Sequence, residues 1–187
     1  MGGESPSVQK SLAAAAKAVS LRLHFSDVTH TEAAGNLSIE QATPTPTLSI
    51  HKDALKSDPS TTKYIAVSID LDAPFPSFSF LGPILHGIHI DLVAGAPDAD
   101  GFHPLEGATE WLVPYIPPGP PKPSAAHRYV FLVFEQPQDL DAAKLKSVLK
   151  LTPEVKLTGR LWWNQEGAEK KLGLGEVLAG NHFLTSA

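Results

Sequence analysis

"RYVFLVFEQ", Arg128 to Gln136, is apolar at both odd and even positions. Side chains alternate between the two faces of a strand, so a strand with one wet face shows apolar and polar residues in turn. This run lacks that alternation and predicts a strand covered on both sides. A β fold organised around it follows. Upstream, short β-like segments lie between turn residues of a chain that holds 17 Pro and 14 Gly. They predict strands over 21–25, 37–39, 47–50, 64–70, 84–92 and 109–112. Immediately before the central strand, "PPGPPKP", Pro117 to Pro123, lacks backbone donors and reads as a stiff extended loop. After Pro137 the texture changes. Leu140, Leu145, Val148 and Leu149 recur near helical spacing behind acidic residues, and a second helix is expected over 160–171, ahead of the glycines of "LGLGE". Trp162 and Trp163 then fall on that helix and are expected to pack on the sheet. The tail "EVLAGNHFL" returns to the sheet, and the Ala-rich stretch 5–19 reads as a peripheral helix. Together these elements predict one domain over residues 1–187, with an N-terminal helix inside 1–20 and a helical segment over 138–172.

Apolar residues make up 42% of the 187 positions and charged ones 19%, which suits a folded core. The net charge is −5 and Lys or Arg never cluster, so the counterion-release drive for nucleic-acid binding has no source. With no cysteine, disulfides, thiolate metal sites and thiol nucleophiles are excluded. The N-terminal apolar run is short, alanine-rich and broken by Lys17, unlike a secretory h-region, and no stretch has the length of a membrane span. A soluble, cytoplasmic protein is expected. The serine-hydrolase elbow, Walker loop, dinucleotide fingerprint and zinc-protease helix are all absent as motifs, and Ser, His and Asp are scattered without the spacing of a triad.

A second stretch, "SIDLDAPFPSFSFLGPILHGIHIDL", Ser68 to Leu92, carries the chemistry. Parity puts Asp70 and Asp72 on one face with Ser68, and Ile65, Val67, Ile69 and Leu71 on the other. Two aspartates ending a strand before Pro74 suit an ordinary turn as well as a site beside a loop. His86 has Ile84, Ile88, Ile90 and Leu92 as parity mates and is expected to point inward. A lone inward histidine is commonly a hydrogen-bonded core residue, and also a frequent functional one. His86 and His89 differ by an odd offset that sends them to opposite faces, so no metal site is expected.

"DLDAP" (70–74), "LHGIHID" (85–91), "GPP" (119–121) and "HRYVFLVFEQP" (127–137) occur in that order, and the set resembles the phosphatidylethanolamine-binding protein family, which includes the Raf kinase inhibitor proteins. The resemblance runs from Tyr64 to Gln136. Asp70, Leu71, Asp72, Ala73 and Pro74 stand at the family's Asp-Pro-Asp-Ala-Pro signature. Ala125, Ala126, His127, Arg128 and Tyr129 stand at its Gly-x-His-Arg-Tyr. Leu71 and Ala125 replace the usual proline and glycine, and Phe183 stands where many relatives have tyrosine.

The resemblance implies a mostly β fold, a sandwich of a large antiparallel sheet and a smaller one with C-terminal helices. It also implies a pocket for an anionic group such as a phospholipid head group, free of cofactor and metal. Carried over by position, the pocket holds Asp70, Asp72, Pro74, His86, Gly119, Pro120, Pro121, His127 and Tyr129, with Phe183 at the rim. Because carboxylates repel phosphate, Asp70 and Asp72 are expected to hydrogen-bond His86 and His127 and raise both pKa values. The phenylalanines of the 75–83 loop read as a fold-stabilising cluster, or as an apolar lip for a larger ligand. The expected role is a binding protein for an anionic head group that modulates a protein kinase or inhibits a serine protease. The alternative is a cofactor-free enzyme or accessory in a natural-product pathway, in which Asp70, His86 and His127 act as general acid and base in cyclising or dimerising a small acid.

Overall fold

The structure is a computed structural model and describes residues 4–107, 109–152 and 154–187. Nine strands and three α-helices make it up: β1 (Leu21–Phe25), β2 (Val28–His30), β3 (Gly35–Asn36), β4 (Thr47–His51), β5 (Lys63–Asp70), β6 (Ile84–Ala94), β7 (Phe102–Gly107), β8 (His127–Glu135) and β9 (Ala179–Thr185), with α1 (Pro6–Ala15), α2 (Ala142–Leu149) and α3 (Gln165–Leu172). The strands form one sheet in the order β2-β1-β4-β7-β6-β5-β8-β9-β3. Neighbours are antiparallel except β3 and β9, which run parallel. The expected sandwich with a smaller second sheet is therefore corrected to a single mixed sheet among the described residues. A twisted sheet this wide curls on itself. Its two ends nearly meet, since Asn181 on β9 donates its side-chain amide to the Leu21 carbonyl on β1 at 2.9 Å.

The central strand divides its side chains between two cores. Tyr129, Phe131 and Val133 enter the cluster inside the curl, with Leu21, Leu23, Ile50 and Phe183. Val130, Leu132 and Phe134 enter the cluster on the convex face, where Val8 of α1, Leu145 of α2 and Leu172 of α3 cover the sheet. Burying each such side chain contributes about 1.5–3 kcal/mol, which explains why the middle of β8, Tyr129 to Phe134, carries no charge on either face.

Local departures from the sequence reading have local causes. The second late helix begins at Gln165, because Asn164 caps it by accepting from the Gly167 amide at 2.7 Å. Trp162 lies upstream with φ at 54°, a left-handed geometry no helix continues through, and it is 64% exposed instead of packed on the sheet. Trp163 is half-buried against the convex-face cluster. No strand forms at 109–112 or 37–39; the nearby strands are β7 and β3.

Two register shifts along the β5–β6 pair each add one residue to β6, between the pairs Ser68↔Gly87 and Ile69↔Leu85 and between Tyr64↔Leu92 and Ala66↔His89. Parity therefore slips. Leu85, Ile88 and Ile90 join the convex-face cluster while Leu92 joins the other, and His86 packs on Tyr129 and Tyr115 inside the curl. His86 does point inward, but it shares its face with His89, which stacks on Trp111. At the second bulge Asp91 takes φ 57°, a value aspartate tolerates better than most residues. Buried Gln136 holds it there, accepting from the Asp91 amide at 2.7 Å and donating to its carboxylate at 3.1 Å.

Candidate functional site

Asp70 closes β5 and lies opposite Tyr129 near the start of β8, so the ends of these two strands bring Asp70 and His127 together. The His127 Nδ1–H donates to Asp70 Oδ2 at 2.9 Å, and the other Asp70 oxygen accepts from the Asp72 amide at 2.8 Å. On the far side of the ring, His127 Nε2 lies 3.1 Å from the Pro74 carbonyl and 3.0 Å from the Ser124 hydroxyl. Asp70 and His127 are 3% and 1% exposed, so this pair sits in a medium where water barely competes.

Tyr129 stands between the two histidines, its ring centroid 5.1 Å from that of His86 and 6.2 Å from that of His127. His86 donates Nδ1–H to the Ile116 carbonyl at 2.7 Å, which leaves Nε2 as its free nitrogen. Among the described residues Nε2 makes no hydrogen bond. The Gly119 amide lies against the Tyr129 hydroxyl, whose pKa burial and the Asp70 charge nevertheless push well above the usual phenol value.

The two imidazoles are tuned in opposite directions. Burial lowers the His86 pKa, and the Asp70 charge and the Ile116 hydrogen bond offset this only in part. Burial also works against the His127 cation, but the hydrogen bond to Asp70 and the charges of Asp70 and Asp72 outweigh it and raise that pKa. The expectation that both histidines rise is thus corrected for His86. Asp72 is not a histidine partner either. It accepts from Arg128 Nε at 2.8 Å and Nη2 at 2.6 Å and from the Arg128 amide at 2.8 Å, while Glu4 takes the remaining guanidinium nitrogen.

Of the other expected pocket residues, Pro74 meets His127 through its carbonyl, Gly119 meets Tyr129, and Pro120 is buried while Pro121 is exposed. Phe183 is not at a rim. It is fully buried, stacked on Tyr129 at 5.3 Å, because β9 pairs with β8 and sets Phe183 opposite Tyr129. In the loop after Pro74, Phe78 and Phe80 are 66% and 53% exposed with ring centroids 5.0 Å apart, so they are an exposed pair rather than a core cluster. Among the described residues no cluster of His, Cys, Asp or Glu is placed to hold a metal ion.

Three neighbours escaped the sequence reading. Ser124, His127 and Asp70 are hydrogen-bonded in that order, although no spacing announced it. Arg128 was legible only as part of a motif. Arg160 is 3% exposed and donates to the carbonyls of Leu85, His86, Pro114 and Val155, fixing the backbone that carries His86. A lone arginine beside a Trp pair gave no sign of that, since its acceptors are all backbone.

Curved mixed sheet, buried Asp–His pair and proline-glycine loop together define a class of protein, and the comparison agrees: the phosphatidylethanolamine-binding protein family model matches residues 9–182, and the chain belongs to that family. Among curated relatives, the chain is 32% identical over 141 residues to phomoidride biosynthesis cluster protein N of Talaromyces stipitatus, covering 74% of this chain and 67% of that one. It is 30% identical over 118 residues to the carboxypeptidase Y inhibitor of Saccharomyces cerevisiae, where the match spans about half of each chain, 52% in both cases. Among solved structures, carboxypeptidase Y inhibitor complexed with its cognate proteinase superposes with a TM-score of 0.67 at 24% identity, covering 89% of this chain and 82% of that one. A phosphatidylethanolamine-binding protein from Plasmodium falciparum gives 0.57 at 14% identity, covering 89% and 84%. These two likenesses concern the fold.

Proposed function

We propose that the group of side chains around Tyr129, namely His86, the Gly119 loop and the His127–Asp70 pair, binds a small anionic group, a phosphate or phospholipid-type head group. The observation that carries this reading is the opposed tuning of the two imidazoles around one tyrosine. The hydrogen bond to Asp70 favours the protonated form of His127, which in that form supplies the attracting charge. Tyr129, kept protonated, supplies a donor. Neutral His86 offers a lone pair at Nε2, which suits the hydroxyl of a singly protonated phosphate better than a bare dianion. Asp70 and Pro74 orient His127, Phe183 backs Tyr129, and Asp72 is neutralised by Arg128, so neither carboxylate meets the anion unpaired. The test is a titration of labelled protein with inorganic phosphate and with O-phosphoethanolamine, followed by imidazole NMR. Phosphate should shift the His86 and His127 ring signals and raise the His86 pKa. Unmoved rings at saturating phosphate refute the site.

Likeness to a carboxypeptidase Y inhibitor supports a second reading, protease inhibition through the surface loops. Purified protein should then slow carboxypeptidase Y in a dose-dependent way, and full activity at large molar excess counts against it.

A further inference from the structure

We propose that Ser124 is a nucleophile, activated by His127 and Asp70 to accept the acyl group of small carboxylic esters. This goes beyond anion binding. The Ser124 hydroxyl lies 3.0 Å from His127 Nε2, and His127 Nδ1 lies 2.9 Å from Asp70 Oδ2. That is the order in which a carboxylate fixes the proton on one ring nitrogen so that the other can take one from a hydroxyl. Asp70 is itself held by the Asp72 amide, so the ring has one orientation to adopt.

Two further contacts describe the resting state. The Pro74 carbonyl lies 3.1 Å from Nε2, and the Ser124 hydroxyl also reaches the Ala125 carbonyl at 2.9 Å. With His127 doubly protonated, Nε2–H donates to Pro74 and Ser124 turns its proton to Ala125. Once Nε2 loses its proton, the hydroxyl is free to donate to it. The charged or titratable groups facing the ring are Asp70, Asp72, His86 and Tyr129. Around Ser124 the prolines at 120, 121 and 123 carry no N–H, whereas the amides of Ser124, Ala125 and Ala126 do, and these three make no hydrogen bond to backbone among the described residues. They are donors for the oxygen on which charge develops. Ser124 is half-buried and Ala125 exposed, so an ester reaches the hydroxyl from the loop side.

In the step itself the Ser124 oxygen attacks the acyl carbon and its proton passes to His127 Nε2, while the carbonyl electron pair moves onto oxygen. The pair returns, the bond to the leaving alkoxide breaks, and Nε2–H protonates that alkoxide. Water then attacks the acyl-serine by the same route, releasing a carboxylic acid and restoring the hydroxyl.

A fluorophosphonate probe and p-nitrophenyl acetate test this, in alkaline buffer where Nε2 is unprotonated. One adduct per chain is expected, mapping to Ser124 by peptide mass. Ser124→Ala should abolish it, and His127→Gln should slow labelling by about 100-fold or more. Because Ser124 lies on a loop, its alanine variant gives the decisive result even if His127→Gln is too unstable to assay. No adduct, an adduct elsewhere, or undiminished labelling of Ser124→Ala overturns the proposal. A wild-type protein that binds phosphate yet takes no label overturns the nucleophile alone and leaves the anion site standing.

Discussion

Asp72 receives the guanidinium of Arg128 in a two-pronged contact, Nη2 to Oδ1 at 2.6 Å and Nε to Oδ2 at 2.8 Å. The carboxylate is almost wholly buried and the arginine about a third exposed, so the pair is only partly screened by water. Arg128→Ala leaves a buried charge with only a backbone donor, and unfolding in urea should show a loss of about 2 kcal/mol. Arg128→Lys should recover only part of it, since an ammonium cannot reproduce the fork. A lysine variant as stable as the parent would show the geometry to be immaterial.

His127 and His86 should tilt the pH dependence of stability in opposite directions. The raised His127 pKa means the folded state binds the proton more tightly than the unfolded chain. Its contribution is complete below about pH 6.5 and is lost as pH climbs through the higher folded-state value. His86, with its lowered pKa, loses stability as pH falls from about 6.5 through its folded-state value. Asp70→Asn should flatten the alkaline loss and deepen the acid limb, because the Asp70 charge also supports the protonated form of His86. Melting temperatures measured across neutral pH read this directly.

Gln136 matters for where its amide sits rather than for the proposed anion site. It bridges the Asp91 bulge and also donates to the Leu140 carbonyl at 2.8 Å. Gln136→Leu fills the space but strips those partners, and a loss of about 2–3 kcal/mol is expected by chemical denaturation. Because the other bulge sets His86, phosphate affinity per folded molecule should stay within about twofold, as distant sites act independently.

Arg160→Met should cost about 3 kcal/mol or more, through the buried carbonyls that lose its guanidinium donors. It should also broaden the His86 ring resonance, a change that a generic surface mutation would not produce.

How much of this was legible depended on whether a feature is written in side-chain type or in backbone register. The two-faced apolarity of β8 and the inward turn of His86 are side-chain patterns, and the structure has both; Asp72, past the end of β5, turns to Arg128 and does not share the face on which Asp70 meets His127. The face His86 chooses was hidden, because a single extra residue in β6 reverses parity, and Gly87 beside it, the residue type that can mark a bulge, reads equally as an ordinary glycine in a strand. Trp162 was misplaced for a similar reason: its left-handed backbone keeps the helix from beginning at 160, where the residue types alone would start it. Ser124 joined His127 through loop geometry, which three-residue proximity in the chain does not encode.

β9 carries one more consequence. It is seated between β8 and β3, and through Asn181 it reaches Leu21, 160 positions earlier in the chain. A nascent chain therefore leaves the ribosome with Tyr129 bare on one side until residues 179–185 have cleared the exit tunnel. Chaperone dependence during synthesis, and sensitivity to premature stops near codon 178, follow from where that strand is inserted.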